Sequence, residues 1–286
     1  MDAMDRSDLA IRAGGLDWAA HWRRLLEARE AAGRAPATMD GCRWDARADR
    51  FARLTQALDA ATDPFVQTLR AAVQPSDTLL DVGAGAGRYC LPLAPHVARV
   101  TAVEPSPGMR ARLAAAAERR DLDNVDVVAG SWPQAAVEPH DVVVVANVLY
   151  FVRDVVPFLE KLDRSARRAC FLLHRVEPRL TPLLARWQEI GGQAPLPEPG
   201  FLDLYNVLFA MGIRASARLL PREFAVRYDT LEEAVAEVRE FLAVGPGPHP
   251  DDAQIRALLA EILVERDGRL GLPHEPQMAI VSWEKP

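Results

Sequence analysis

The sequence is poor in cysteine, short of long apolar runs and without an excess of positive charge. Its three cysteines, Cys42, Cys90 and Cys170, stand far apart and are odd in number. That excludes a disulfide framework and offers no paired-cysteine knuckle for a metal, and a reducing compartment fits. The most apolar window, 142–152, is far shorter than the roughly 20 residues a membrane-crossing helix needs. The first six residues show no basic start followed by an apolar stretch, so no secretory leader is expected and the expected location is cytoplasmic. Lys and Arg number 34 against 40 Asp and Glu, a net charge of −6. Such a balance speaks against a nucleic-acid backbone as the main partner and favours a small molecule or a protein. What remains is an ordinary globular composition, 49% hydrophobic and 26% charged over 286 residues, enough for one large or two small domains.

The texture of the chain changes twice. Residues 1–74 read as helical: Trp18, Trp22, Leu25 and Leu26 form a stripe at spacings of three and four, and Trp44, Ala48, Phe51, Leu54 and Leu58 form a second. Pro64 opens a third helix, with Phe65, Leu69 and Val73 on one face. From residue 78, short apolar runs alternate with helical stretches. Strands are predicted at 78–82, 99–103, 125–129, 141–146 and 169–174, with helices at 89–93, 107–120 and 155–162. That alternation implies βαβ units and a parallel sheet covered on both faces. Val142-Val143-Val144-Val145 has no alternation, as expected of a central strand buried on both sides. After His174 the regularity stops. Helices are predicted at 201–211, 231–242 and 251–266, a strand at 223–228, and a last strand at 278–283.

The centre of the chain is Leu79-Leu80-Asp81-Val82-Gly83-Ala84-Gly85-Ala86-Gly87-Arg88. An apolar run ends in an acid and a glycine turn, and a second apolar run, 100–103, ends in Glu104. A strand, a tight turn, a helix and a carboxylate on the next strand tip form a nucleoside-cofactor unit. The dinucleotide fingerprint G-x-G-x-x-G would need a glycine where Arg88 stands. Asp81 would repel a pyrophosphate, and it suits an ammonium group. Glu104 can accept both hydroxyls of a ribose.

These residues resemble the class I S-adenosylmethionine-dependent methyltransferases. Residues 79–87 look like that family's first motif, and Val103-Glu104-Pro105-Ser106-Pro107-Gly108-Met109 looks like its second, where the acid holds the ribose and the following residues flank the adenine. Val125-Asp126-Val127-Val128-Ala129-Gly130-Ser131-Trp132 resembles the third, with Ser131 where many relatives carry Asp and Trp132 expected beside the base. Residues 141–146 followed by Asn147-Val148-Leu149-Tyr150 resemble the fourth, at the mouth shared by cofactor and substrate. The resemblance covers about residues 75–175, with 278–283 as the family's antiparallel strand. It implies a Rossmann-like seven-stranded α/β sheet, parallel but for one strand, with helices on both faces. The expected organisation is an N-terminal helical lid (1–74), a cofactor-binding core (75–177), a cap insertion that includes one sheet strand (178–277) and the final core strand (278–286).

S-adenosylmethionine is thus the expected cofactor, held by Asp81, Gly83, Ala84, Gly85, Glu104, Pro105, Met109, Ser131, Trp132, Asn147 and Val148. Methyl transfer from a sulfonium is a direct displacement, so the protein must mainly place a nucleophile and no fixed base is required. Among side chains that could act, His174 ends the fifth strand and could be a base or a hydrogen-bonded strand end. Tyr150 could orient substrate or simply pack. Trp44 and Arg47, in a segment that forms a lid in small-molecule relatives, and Tyr205 and Asn206, in a helix where relatives bind substrate, are candidate acceptor contacts. No metal is expected, because Asp141 begins the fourth strand rather than ending it and no ligand spacing appears elsewhere. The reading is methyl transfer to a small-molecule acceptor in an enclosed pocket. The alternatives are a protein or RNA methyltransferase and a non-catalytic binding module that has kept the fold.

Overall fold

The structure, a computed structural model, describes residues 15–31, 45, 61–176, 183, 186, 198–220, 227–242, 250–266, 268–272 and 277–285. Its strands are β1 (Thr78–Val82), β2 (Arg99–Glu104), β3 (Val125–Ala129), β4 (His140–Ala146), β5 (Ala166–Arg175), β6 (Ser216–Leu219), β7 (Arg227–Tyr228), β8 (Val264–Arg266), β9 (Arg269–Gly271) and β10 (Met278–Glu284). Its helices are α1 (Trp18–Ala31), α2 (Pro64–Ala72), α3 (Cys90–Leu93), α4 (Pro107–Glu118), α5 (Val155–Ser165), α6 (Phe201–Ala210), α7 (Leu231–Leu242) and α8 (Asp252–Ile262).

Seven strands form one sheet in the order β3-β2-β1-β4-β5-β10-β6. The first five run parallel, and β10 lies antiparallel between β5 and β6. Because β2 and β4 flank β1, the strand order reverses there, and the carboxyl ends of β1 and β4 open a crevice of the kind that binds ligands in doubly wound sheets. The four valines of β4 explain themselves. Val142 and Val144 enter one core with α2, α3 and α4, while Val143 and Val145 enter the other with α1, α5 and α6. A strand with a core on each face carries no polar positions.

Helix starts follow local chemistry. Asp63 caps α2, its Oδ1 accepting from the N–H groups of Phe65 (2.9 Å) and Val66 (3.3 Å), and Pro64 supplies the preset first turn. Ser106 caps α4 by accepting from Met109 N–H at 3.1 Å. On the other side of the sheet, Trp22 of α1 is fully buried and donates its indole N–H to Val152 O at 2.8 Å. A third, smaller core joins α7, α8 and the sheet β7-β9-β8 around Tyr228, Val235, Ile255 and Leu259.

Three expectations need correction or restriction. The sheet strand of the insertion is Ser216–Leu219, while Arg227–Tyr228 pairs with β9 in the small sheet. Strand β6 is exposed at every residue, so it carries no alternation to read. The helix expected to reach residue 266 ends at Ile262, because Leu263 turns extended (ψ 139°) and β8 begins. The helix expected around Trp44–Leu58, apart from Asp45, lies outside the described residues, as does residue 42. Cys90 and Cys170 are both buried and unpaired.

Candidate active site

The carboxyl edge of β1 is built largely from backbone. Gly83, Gly85 and Gly87 all have positive φ (74°, 58° and 89°), the left-handed region that glycine enters without strain. The N–H groups of Gly83 and Ala84 donate to Val103 O at 2.8 and 3.2 Å, which ties the turn to β2. A Cβ on Gly83 would stand 2.5 Å from Val148 Cγ2, so this glycine lets the loops after β1 and β4 touch. At Gly85 the same atom would meet nothing within 4 Å, leaving its face open for a ligand.

Two buried acids flank this opening. Glu104 accepts from Gly85 N–H through Oε2 (2.8 Å) and from Ser106 N–H through Oε1 (2.9 Å). Burial raises its carboxyl above the ordinary value while those two bonds pull it back. Asp81 is 2% exposed and its Oδ2 has no hydrogen-bond partner. Burial, opposed by the Cys90 thiol and aided by the Glu104 charge, pushes its carboxyl up to about 7. A second orphan lies close by: the Tyr89 hydroxyl is buried without a partner, among the charges of Arg88, Asp63 and Asp81. Its ring is held edge-on by Phe65 at 5.1 Å. Unpaired buried polar atoms are costly and rare, so two of them together mark a place for a polar ligand.

Next to β2, Asp45 adds an unexpected clasp. Its Oδ1 accepts from Ser106 Oγ (2.6 Å) and Gly108 N–H (2.7 Å). These bonds, the Ser106 hydroxyl first, hold its carboxyl below the usual range. The segment expected to form a lid therefore touches the start of α4 through Asp45, while Trp44 and Arg47 lie outside the described residues. Pro105 is half-buried beneath Arg110, whose guanidinium donates to its carbonyl at 2.7 Å, and Met109 is buried.

At β3, Ser131 is exposed. Trp132 is taken up by packing: its N–H donates to Phe158 O (3.1 Å), and Lys161 Nζ sits 4.3 Å over its ring. At β4, Asn147 adopts φ 59°, rare for a side-chain-bearing residue and common at functional turns. Its Oδ1 accepts from the Tyr150 hydroxyl at 3.0 Å, and that hydroxyl accepts from Arg175 N–H at 2.9 Å. Tyr150 is therefore fully engaged and serves to set Asn147. His174 is also closed off. It is 1% exposed, packed between Trp22 and Tyr150, with Nδ1 at 3.0 Å from Arg175 O and Nε2 unpartnered. Burial lowers its pKa to about 4, so it is neutral at pH 7.

Residues 80–173 match the profile of a methyltransferase-domain family. The chain carries a class I S-adenosylmethionine-dependent methyltransferase domain. The match spans the sheet edge just described and stops where β5 ends. Over 183 residues the methyltransferase is 27% identical to an uncharacterized protein of Haemophilus influenzae, covering 63% of this chain and 67% of that one. In solved structures it shares its fold with the YcgJ protein of Bacillus subtilis, at 14% identity and a TM-score of 0.53, over 77% of this chain and 97% of that chain. A magnesium protoporphyrin IX methyltransferase from Synechocystis, solved with S-adenosylhomocysteine bound, gives 14% identity and a TM-score of 0.49 over 78% and 82% of the two chains.

S-adenosylmethionine is the methyltransferase's cofactor, and the residues fit it. The free oxygen of Asp81 and the Tyr89 hydroxyl offer an acceptor and a donor, the open face of Gly85 admits a ligand, and Glu104 keeps lone pairs on both oxygens. Among the described residues there is no group of three metal-ligating side chains. Asp141 is spent at the opposite end of β4, accepting from Thr78 N–H and Thr78 Oγ1, each at 2.7 Å. No helix among the described residues is long and apolar enough to cross a membrane.

A cleft of about 480 Å³ lies beside β5, between the starts of α1 and α6. Trp18, His21, Arg175, Glu198, Leu202 and Asn206 help to line it. Asn206 is thus the candidate acceptor contact that the structure places at a cleft. Tyr205 instead donates its hydroxyl to Ala215 O at 2.9 Å and packs into the core. His21 and Arg175 carry no motif and were missed. So was the role of Arg88, which stands in place of a dinucleotide glycine because it pairs with Asp63 at 2.9 Å and ties the glycine turn to α2.

Proposed function

We propose that the methyltransferase transfers its methyl group to a small-molecule acceptor by direct displacement, with the acceptor held in the cleft between α1 and α6. The observation that carries this reading is the position of that cleft at the carboxyl edge of β5, one side chain from the β4 mouth: Arg175 lines it and stacks on Tyr150, which holds Asn147. A volume of about 480 Å³ suits a small organic molecule rather than a folded chain. The net charge of −6 disfavours RNA.

S-adenosylmethionine, when bound, supplies a methyl group on a positively charged sulfur. The chain's residues bind and orient. Asp81 takes the ammonium group, Tyr89 the carboxylate beside it, and Glu104 the ribose hydroxyls, with Gly83, Ala84, Gly85, Pro105, Met109, Ser131, Asn147 and Val148 along the same edge. Trp132 supports that edge from behind. The acceptor's lone pair forms the new bond to carbon while the sulfur keeps the electron pair of the bond that breaks. His174 and Tyr150 shape the wall between the two ligands; the Tyr150 hydroxyl is engaged, and the one free acceptor of His174, Nε2, is buried and weakly basic, its pKa lowered to about 4. The transfer thus suits a nucleophile that sheds its proton to water. Residues 1–74 and 178–277 supply the covers of the 75–177 core, closed by strand 278–286, and the cytoplasm suits such an enzyme.

The test uses methyl-labelled S-adenosylmethionine with separate small-molecule, protein and RNA fractions of a bacterial extract. Label is expected in the small-molecule fraction. Label in either macromolecular fraction, with none in the first, would overturn the reading.

A further inference from the structure

The cleft beside β5 has an uneven charge economy. Its two acids are both engaged. Glu198 meets Arg29 at 3.1 Å, and Asp203 accepts from Gly200 N–H at 2.8 Å and faces His21 Nε2 at 3.4 Å. Its arginine is less completely satisfied. Arg175 comes no nearer to Glu198 than 3.8 Å, beyond hydrogen-bond reach, and its Nε is buried with no acceptor. What holds the guanidinium is the face of Tyr150, 3.8 Å from the ring centroid, a contact that leaves its planar edge with a carboxylate in ion-pair range and none in hydrogen-bond contact. Arg29, Arg175 and Glu198 are all largely buried, with side chains 14–18% exposed. Glu198 thus lies within ion-pair range of both arginines, out of bulk water.

The start of α6 adds to the same sign. Gly200 is its N-cap and has no side chain to cap the first turn, and Gly200, Leu202 and Asp203 line the cleft. The positive end of a ten-residue helix thus opens beside Arg175. Around this polar region the rim is apolar. Leu16 and Leu202 are 39% and 65% exposed, two of the three exposed large hydrophobics among the described residues, and Trp18 lines the same cleft.

We propose that the acceptor is an amphipathic organic acid, its anionic group set against Arg175 and its apolar body against Trp18, Leu16 and Leu202. This rests on the reading of the cleft as the acceptor site. An amine would need a carboxylate that is free, and both acids are engaged. A wholly apolar acceptor would close over Arg175 with its Nε unpaired and its only carboxylate beyond hydrogen-bond reach, which is costly. An acid supplies the direct hydrogen-bonded contact that Glu198 does not, through the paired geometry that guanidinium favours.

The experiment titrates the S-adenosylhomocysteine-saturated protein with octanoate and with octanamide, following the Trp18 indole N–H by two-dimensional NMR. Octanoate is expected to bind at least tenfold more tightly. Arg175→Met should abolish that preference, and Arg175→Lys should keep part of it. Leu202→Asp, at an exposed position that cannot unfold the chain, should weaken octanoate more than tenfold. Equal binding of acid and amide, no response of Trp18 to either, or a preference that survives Arg175→Met would each overturn the proposal. Failure of the wild-type protein to bind S-adenosylhomocysteine would instead sink the methyltransferase reading itself, so the two failures are distinct.

Discussion

The two halves of the active edge are held in different ways. On the cofactor side, β1, β2 and β4 end in turns fixed by backbone: positive-φ glycines, N–H groups donated to Val103 O, and a carboxylate clamped by two further N–H groups. On the acceptor side, α1 and α6 come from parts of the chain nearly 200 residues apart. They pack on the sheet through side chains, Trp22 and Leu26 from α1 and Leu204, Val207 and Leu208 from α6, and are tied by ion pairs, Arg23–Asp154, Arg29–Glu198 and His21–Asp203. Of these, the exposed Arg23–Asp154 pair contributes little and weakens with salt, while Arg29–Glu198 is largely buried. A site whose chemistry is common to many acceptors can be built rigidly. The part that chooses the acceptor can vary, because side chains rather than backbone carry it.

The largest way to test this division is Trp22→Ala. Removing a fully buried indole from the α1 face should cost about 3–5 kcal/mol of stability. If the halves are separate, affinity for S-adenosylhomocysteine measured by calorimetry on the surviving folded protein should stay within about threefold. A loss of cofactor affinity in step with stability would show that α1 is part of the cofactor site.

Asp81→Asn reverses the pattern. Ionised Asp81 is a burden on the empty protein, because burial raises its folded pKa to about 7. Between its unfolded pKa near 4 and about 7 the folded state holds the extra proton, so stability falls as pH rises through that window. An amide in place of the carboxyl removes this dependence. The ligand-free variant should melt higher than wild type at pH 8 and equally at pH 4, while binding S-adenosylhomocysteine at least tenfold more weakly at pH 8, the scale of about 1.5–3 kcal/mol for a hydrogen bond to a charged group. In the wild type, affinity should rise as pH increases through 7. A variant that melts lower and binds normally would move the ammonium site elsewhere.

How much of this was legible in the sequence follows the same division. Strands β1 and β3 occupy the residues predicted for them, because an apolar run bounded by turn residues leaves little choice, and Asp81, Gly83, Gly85 and Glu104 converge because they lie within one βαβ unit. Arg88 showed only that a dinucleotide glycine was missing. Its reason, the pair with Asp63, needed the packing of α2. Trp132 was expected beside the base, and its contacts with α5, through the N–H and one face of the ring, are ones no local pattern signals. The cleft was illegible for a deeper cause. His21, Arg175 and Asp203 become neighbours only after β5 is in the sheet and two distant helices have closed over it.

Within the cofactor half, two glycines can be told apart. Gly83→Ala adds a Cβ 2.5 Å from Val148 on a left-handed backbone, so it should lose at least ~1–3 kcal/mol of stability and disturb the β4 loop. Gly85→Ala meets no protein atom and should cost only the backbone strain, ~1–2 kcal/mol. Its affinity for S-adenosylhomocysteine should nonetheless fall, because the open face is where the ligand approaches. Thermal melts and calorimetry on both variants check this, and Gly85→Ala with unchanged affinity would place the ligand elsewhere.

The smallest change is Tyr89→Phe, which deletes one oxygen and keeps the ring against Phe65. In the empty protein that hydroxyl is buried without a partner, so its loss should leave stability unchanged or raise it slightly. Its use can come only from a ligand. If it donates to the carboxylate of the cofactor's amino-acid end, S-adenosylhomocysteine should bind about tenfold more weakly, ~1.4 kcal/mol. 5′-Methylthioadenosine, which has the same nucleoside and no amino-acid end, should bind as to wild type. An equal loss for both would put the hydroxyl under the nucleoside, and no loss for either would leave it a packing residue. The pair of ligands thus locates one oxygen atom along the cofactor, on the side of the site where backbone otherwise does the holding.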